Sequence, residues 1–207
     1  FPRHAAALHH AALRLMRHLV IFVKAPRLGA VKTRLGRSIG QVAATRFYRR
    51  ISQRTIKGLV GRNWQTWLAV SPDADLHGAF WPRGIRRRRQ GPGDLGQRMA
   101  RAFRELRGPV VVVGSDIPGL HARHVEAAFR ELGRVGAVFG PAVDGGFYLV
   151  GFGKAPRYNL FCGIAWSQPD TLAATLAALA PQRAALLETL EDIDDVVAYR
   201  RAIASLP

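Results

Sequence analysis

The stretch "PVVVVGSD" constrains this chain most: four consecutive valines, Val110–Val113, run straight into Gly114, Ser115 and Asp116. A strand that is apolar on every residue has no polar face to offer water, so it is covered on both sides. "HLVIFVK" (His18–Lys24) has the same character. "TWLAVS" (Thr66–Ser71), "GAVFGPA" and Phe147–Phe152 are further strands, and "GIRRRRQ" (Gly84–Gln90) is a short one. The stretches between them repeat at helical spacing. "GQVAATRFYRRISQRTIKGLV" places Val42, Ala43, Phe47, Ile51, Ile56, Leu59 and Val60 in this way. Leu95–Leu106, Ala122–Leu132 and Pro169–Leu179 are the other helices, and "ALLETLEDIDD" predicts a short strand, a carboxylate cluster and a helix to Ala204. Strands alternating with helices predict an α/β fold of three layers, α/β/α, around a mostly parallel twisted sheet.

The 207 residues suffice for one such domain. We expect it to span residues 16–207, with 1–15 as an extension outside the fold. That extension carries His4, His9 and His10, for which a metal role is disfavoured, and it lacks a signal-peptide apolar region with a cleavage site. The single cysteine, Cys162, excludes an internal disulfide and a cysteine-built zinc site, and it fits a cytoplasmic protein. No apolar run approaches the roughly 20 residues that span a bilayer.

In such sheets ligands bind outside the carboxyl ends of the strands, and the chemistry-bearing residues of this chain collect there. "KAPRLGAVKTRLG" follows the first strand. Its glycines, Gly29 among them, let backbone N–H groups approach an anion, and Lys24, Lys32 and Arg34 neutralise one. It is not a P-loop, because Gly29 precedes Lys32 by only three residues. "GSDIP" puts Ser115 and Asp116 at the end of the valine strand. Asp116 either caps the next helix or presents a carboxylate to a cation, and Pro118 and Gly119 move capping towards His121. "GPAVDGGFYLVG" reads as a turn through Gly145 and Gly146 that also brings a second carboxylate, Asp144, to the same sheet edge. Two carboxylates with substrate phosphates are the usual way to hold Mg²⁺. In "GPGDLGQRM", Asp94 can accept from a ribose or base and Arg98 can reach a phosphate. "LEDIDD" reads first as a solvated face and the cap of the last helix.

A formal charge of +17, with 31 Lys and Arg against 14 Asp and Glu, suits phosphorylated or polyanionic partners. A nucleic-acid module built on "IRRRRQ" is the alternative class, disfavoured because the run contains no aromatic residue for base stacking. No serine, cysteine or zinc hydrolase pattern is present.

Taken in order, "VIFVKAPRLGAVKTRLG", "GDLGQRM", "VVVVGSDIPGL", "GPAVDGGFYLVGF", "FCGIAWS" and "LEDIDD" resemble a bacterial family of glycosyltransferases of the GT-A, nucleotide-diphospho-sugar transferase fold, of the radical SAM/selenodomain-associated type. The same fold hosts nucleotidyltransferases of the phospholactate guanylyltransferase kind, whose loop after the first strand the basic loop also resembles. The resemblance implies an Mg²⁺- or Mn²⁺-dependent transferase taking a nucleotide or sugar-nucleotide donor and a small-molecule acceptor. It implies catalytic roles for Lys32, Arg34 and Asp116, and metal ligation by Asp116 and Asp144. Substrate contacts would come from Lys24, Gly29, Asp94, Arg98, Ser115, Gly145 and Gly146. The family usually has Thr where Asp195 stands here.

Overall fold

The computed structural model describes residues 16–193 apart from Arg62, together with residues 196 and 198–200. The expected extension with its histidines, Asp194, Asp195 and the end of the last helix lie outside the described residues.

Seven strands form one sheet: β1 (His18–Lys24), β2 (Gln65–Ser71), β3 (Arg86–Arg89), β4 (Val110–Gly114), β5 (Ala137–Pro141), β6 (Phe147–Phe152) and β7 (Ala185–Leu186). Their spatial order is β3-β2-β1-β4-β6-β5-β7. The α-helices whose bounds lie among the described residues are α1 (Thr33–Ile39), α2 (Gln41–Leu59), α3 (Leu95–Glu105), α4 (Ala122–Leu132) and α5 (Thr171–Leu179); residues 196 and 198–200 are helical as well. All pairings are parallel except those of β6, which runs against both β4 and β5. Only residues 142–146 join β5 to β6, too few for the crossover that a parallel return needs.

The unbroken apolar runs divide by parity. Leu19, Ile21 and Val23 of β1 and Val111 and Val113 of β4 pack with Ile56 and Leu59 of α2 and Val125, Ala128 and Phe129 of α4. Val20, Val110 and Val112 face the other way, onto Met99, Ala102 and Phe103 of α3 and Leu179 of α5. Successive strand residues point to opposite faces, so each run feeds two cores, and the sheet is the middle layer of three.

The strand order places the site. From β1 the chain walks outward to β2 and β3, then returns through α3 to β4 on the other side of β1. Such a reversal opens a crevice at the carboxyl ends of the two strands that flank it. Phe22 pairs with Gly114, so Lys24 and Asp116 leave the sheet at the same level, one on each side of the crevice.

The basic loop departs from expectation in its second half, which is helix α1. Leu35 and Gly36 are buried there. A Cβ on Gly36 would stand 2.6 Å from the Gln41 amide, so this glycine serves close packing within a helix and not a loop. The capping expected near His121 is present: the His121 N–H donates to His124 Nδ1 at 2.9 Å, at the start of α4.

Candidate active site

A cavity of about 810 Å³ opens at the crevice. It is lined by Lys24, Lys32, Arg34, Arg98, Ser115, Asp116 and Asp144, which the sequence had singled out. Lys24 ends β1, Ser115 and Asp116 follow β4, Asp144 sits in the β5–β6 turn, and Arg98 lies in the first turns of α3. Residues separated by as many as 120 positions are therefore united by one sheet edge.

Lys32 is the most constrained of them. Its backbone is left-handed, with φ 46°, immediately before α1. For a residue with a Cβ this costs roughly 1–2 kcal/mol. Its side chain is 3% exposed, and Nζ lies 2.7 Å from Asp116 Oδ2. The ammonium is thus desolvated beside a partly open carboxylate. Backbone strain and a buried charge thus occur together at this one position. Arg34 and Lys24 are exposed on the same cavity wall.

Four of the lining residues that the sequence reading did not assign to the site bear on its chemistry. Tyr48, on the buried face of α2, is 4% exposed. Its hydroxyl accepts from the Lys24 N–H at 2.9 Å and lies 3.2 Å from both the Lys24 carbonyl oxygen and Ser115 Oγ. Burial, and then the Asp116 charge, push this phenol above its ordinary range. Gln90, also buried, donates to the carbonyls of Ala69 and Val23 at 2.8 and 3.2 Å, and its Oε1 accepts from Arg98 at 3.4 Å. Trp166, from the loop before α5, is the third. Asp192 is the fourth, and it corrects the expectation of a merely solvated cluster: Asp192 lines the cavity, and Ile193 beside it is buried against Ile51. The period-2 and period-3.6 patterns could mark Tyr48 and Gln90 only as buried polar positions. The single step along "LEDIDD" from the apolar Ile193 to its acidic neighbour was the available signal for Asp192.

The remaining expected residues are placed otherwise. Asp94 caps α3: its Oδ1 accepts from the Gln97 N–H at 2.8 Å, and the Gln97 side chain accepts from the Asp94 N–H at 3.0 Å. It lines a neighbouring cavity of about 660 Å³ and not the one above. Gly145, with φ +85°, turns tightly beneath Pro169, whose carbonyl oxygen would meet a Cβ at 1.9 Å. The Gly146 N–H donates to Asp144 Oδ1 at 2.9 Å and so orients that carboxylate. Gly29 adopts φ +72° in a turn with open space around it. None of these three glycines lines the cavity.

The arginine run is largely consumed by the fold. Arg87 donates to the carbonyls of Leu76, Trp81 and Pro82. Arg88 pairs with Glu105, and the Arg86 guanidinium sits 5.4 Å above the Trp67 ring.

Among the described residues no group of three or more His, Cys, Asp or Glu is placed to hold a metal by itself. The cavity nevertheless offers hard oxygen donors, Asp116, Asp144 and Asp192. Carboxylate oxygens are the donor type that Mg²⁺ and Mn²⁺ take.

A mixed sheet of this order with a charged crevice at its reversal point defines the nucleotide-diphospho-sugar transferase fold. A solved structure from Desulfovibrio desulfuricans G20, provisionally assigned as a nucleotide-diphospho-sugar transferase, has 30% identity and a TM-score of 0.83 over 91% of this chain and 87% of that one. The chain belongs to the family described as "Uncharacterized protein conserved in bacteria (DUF2064)", whose model matches residues 56–168. The fold also matches the 4-diphosphocytidyl-2C-methyl-D-erythritol synthase of Anaerococcus prevotii DSM 20548, at 11% identity and TM-score 0.60 over 92% of this chain and 98% of that one. A CMP:2-keto-3-deoxy-manno-octonic acid synthetase complexed with CTP matches at 13% identity and TM-score 0.55, again over 92% and 98%. A comparison with curated proteins finds no match.

Proposed function

We propose that this chain is a divalent-metal-dependent transferase, of the radical SAM/selenodomain-associated type, that binds a sugar nucleotide in the 810 Å³ cavity and passes its sugar to a small acceptor. The observation that carries the reading is the convergence of Lys24, Lys32, Arg34 and Arg98 with Asp116, Asp144 and Asp192 on one crevice. A metal there would be held by Asp116 and Asp144, and would supply charge neutralisation to the phosphates and the leaving group. Lys32 and Arg34 bind phosphate oxygens, Arg34 through its paired N–H groups. Gln90 holds Arg98 towards the same space. The acceptor hydroxyl attacks directly, so no protein nucleophile is required, and catalysis rests on positioning and fixed charge.

One observation favours a second reading, nucleotidyl transfer from a nucleoside triphosphate with release of pyrophosphate. Four cations on one cavity are more than a diphosphate needs, and the similar CMP:2-keto-3-deoxy-manno-octonic acid synthetase was solved complexed with CTP, a nucleoside triphosphate.

A thermal-shift screen of sugar nucleotides and nucleoside triphosphates, with and without Mg²⁺ or Mn²⁺, tests both, because a ligand of the native state raises Tm with its concentration over Kd. Sugar nucleotides should give the larger metal-dependent shift. A larger shift with triphosphates selects the second reading, and no shift with either class overturns both. Asp116→Ala should abolish the metal-dependent part. Asp144→Ala, at an exposed position, should do the same without stranding the Lys32 charge. Lys32→Ala and Arg34→Ala should weaken binding with or without metal.

A further inference from the structure

Helix α2 runs from Gln41 to Leu59 with five cations, Arg46, Arg49, Arg50, Arg54 and Lys57, and no acidic residue. At about 100° per residue these five, with Val42 and Ala43, fall within an arc of about 140°. Each of the seven is exposed. The opposite arc is the buried one, through Ala44, Tyr48, Ile51, Thr55, Ile56 and Leu59. The helix is therefore split cleanly into a core face and a cationic face. Among the described residues no carboxylate stands within ion-pairing distance of the five. Tyr199 packs on Phe47 at the border between the two faces, and not along the row that Arg46, Arg50 and Lys57 define.

Two further features decide what such a face fits. Val42 is 52% exposed in the first turn and Val60 54% exposed just past the last. Aliphatic side chains at both ends of a cationic row gain by entering the headgroup region of a bilayer, whereas a nucleic-acid backbone gives them nothing. The exposed arc also lacks the aromatic residues that stack on bases, and its one amide, Gln53, is half-buried.

The geometry points to the outer face of α2 as a docking surface for an anionic lipid membrane, engaged peripherally through Arg46, Arg49, Arg50, Arg54 and Lys57. This inference rests on the helix alone and stands whichever transfer chemistry the cavity performs. Tyr48, on the core face of the same helix, lines that cavity, so docking holds the cavity within about one helix diameter of the lipid surface.

Co-sedimentation of the full chain with vesicles tests it. Phosphatidylcholine vesicles containing phosphatidylglycerol should pellet the protein, phosphatidylcholine alone should not, and added salt should release it. Each cation at such a surface contributes about fivefold in partitioning. Arg46→Gln, Arg50→Gln and Lys57→Gln together should therefore lose on the order of a hundredfold, with an unchanged circular dichroism spectrum. The triple variant Arg83→Gln, Lys154→Gln and Arg183→Gln removes the same charge at exposed positions elsewhere and should keep nearly all binding. Equal losses in the two triple variants would assign binding to diffuse net charge and overturn the proposal. So would equal binding to the two vesicle types. A DNA duplex that binds as tightly as the anionic vesicles and is lost with the same α2 variant would make the face a general polyanion site, and would also overturn it.

Discussion

Replacing Tyr48 by Phe isolates one hydroxyl at the centre of the candidate site. Ala25 donates its N–H to Ser71 of β2, so the Lys24 N–H points the other way, towards β4. The last paired residues there are Phe22 and Gly114, and the strands part beyond them to form the crevice. Lys24 thus loses its ladder partner where the ligand cavity begins, and the Tyr48 hydroxyl takes that place at 2.9 Å. The same oxygen meets Ser115 Oγ at 3.2 Å. Phe fills the ring volume, so no cavity term arises. What remains is a part-buried N–H and a buried serine hydroxyl deprived of a partner. A stranded buried group costs about 1–3 kcal/mol, partly offset because Phe is more apolar than Tyr, so a net loss of about 2 kcal/mol is expected. For a domain of this size that is a fall in Tm of roughly 4–8 °C. Urea denaturation followed by tryptophan fluorescence measures it, with an unchanged m-value as the check that the denatured state is unaltered. A loss below about 0.5 kcal/mol, within the range of ordinary surface substitutions, would refute the claim that this hydroxyl closes the end of β1.

Two further perturbations follow from the same geometry. Gly145→Ala combines φ +85° with a Cβ placed 1.9 Å from a backbone oxygen of Pro169. It should destabilise the fold by more than about 2 kcal/mol, and a near-neutral melting curve would contradict the described turn. The Glu188 carboxyl is held below its usual value of 4.5 by the hydrogen bond from His124, with Arg123 assisting. A carboxylate whose folded value is depressed stabilises above its unfolded pKa and loses that contribution as pH falls through the folded value. The Tm advantage of the wild type over Glu188→Gln should therefore shrink as pH drops below 4.5. An advantage independent of pH would show that the pair contributes nothing through ionisation.

Much of the fold was legible before any coordinates. The residue ranges of β1, α4 and β6 coincide with the sequence reading, because each is either an unbroken apolar run or a periodic helix between clear breakers. Helix α1 was hidden because Gly36 and three nearby cations resemble loop composition, while its helical state depends on Leu35 burying against the core and on the Gln41 side chain covering the glycine. Asp94 reads in the sequence as a contact to a ribose or base, and the structure uses its carboxylate as a helix cap.

The division for the site has the same cause. Sequence alone determined that Lys24, Asp116 and Asp144 stand at or just past strand ends and that Lys32 and Arg34 follow the first strand, because strand ends are set by local pattern and parallel sheets place those ends on one edge. It could not determine that Lys32 would be buried against Asp116. Nor could it show that Tyr48 would seal the gap between β1 and β4, that Gln90 would hold Arg98, or that Asp192 would return to the cavity from the far end of the chain. Those facts depend on strand order and on which face each crossover covers. Both are settled by packing between segments far apart in sequence, and no local periodicity records them.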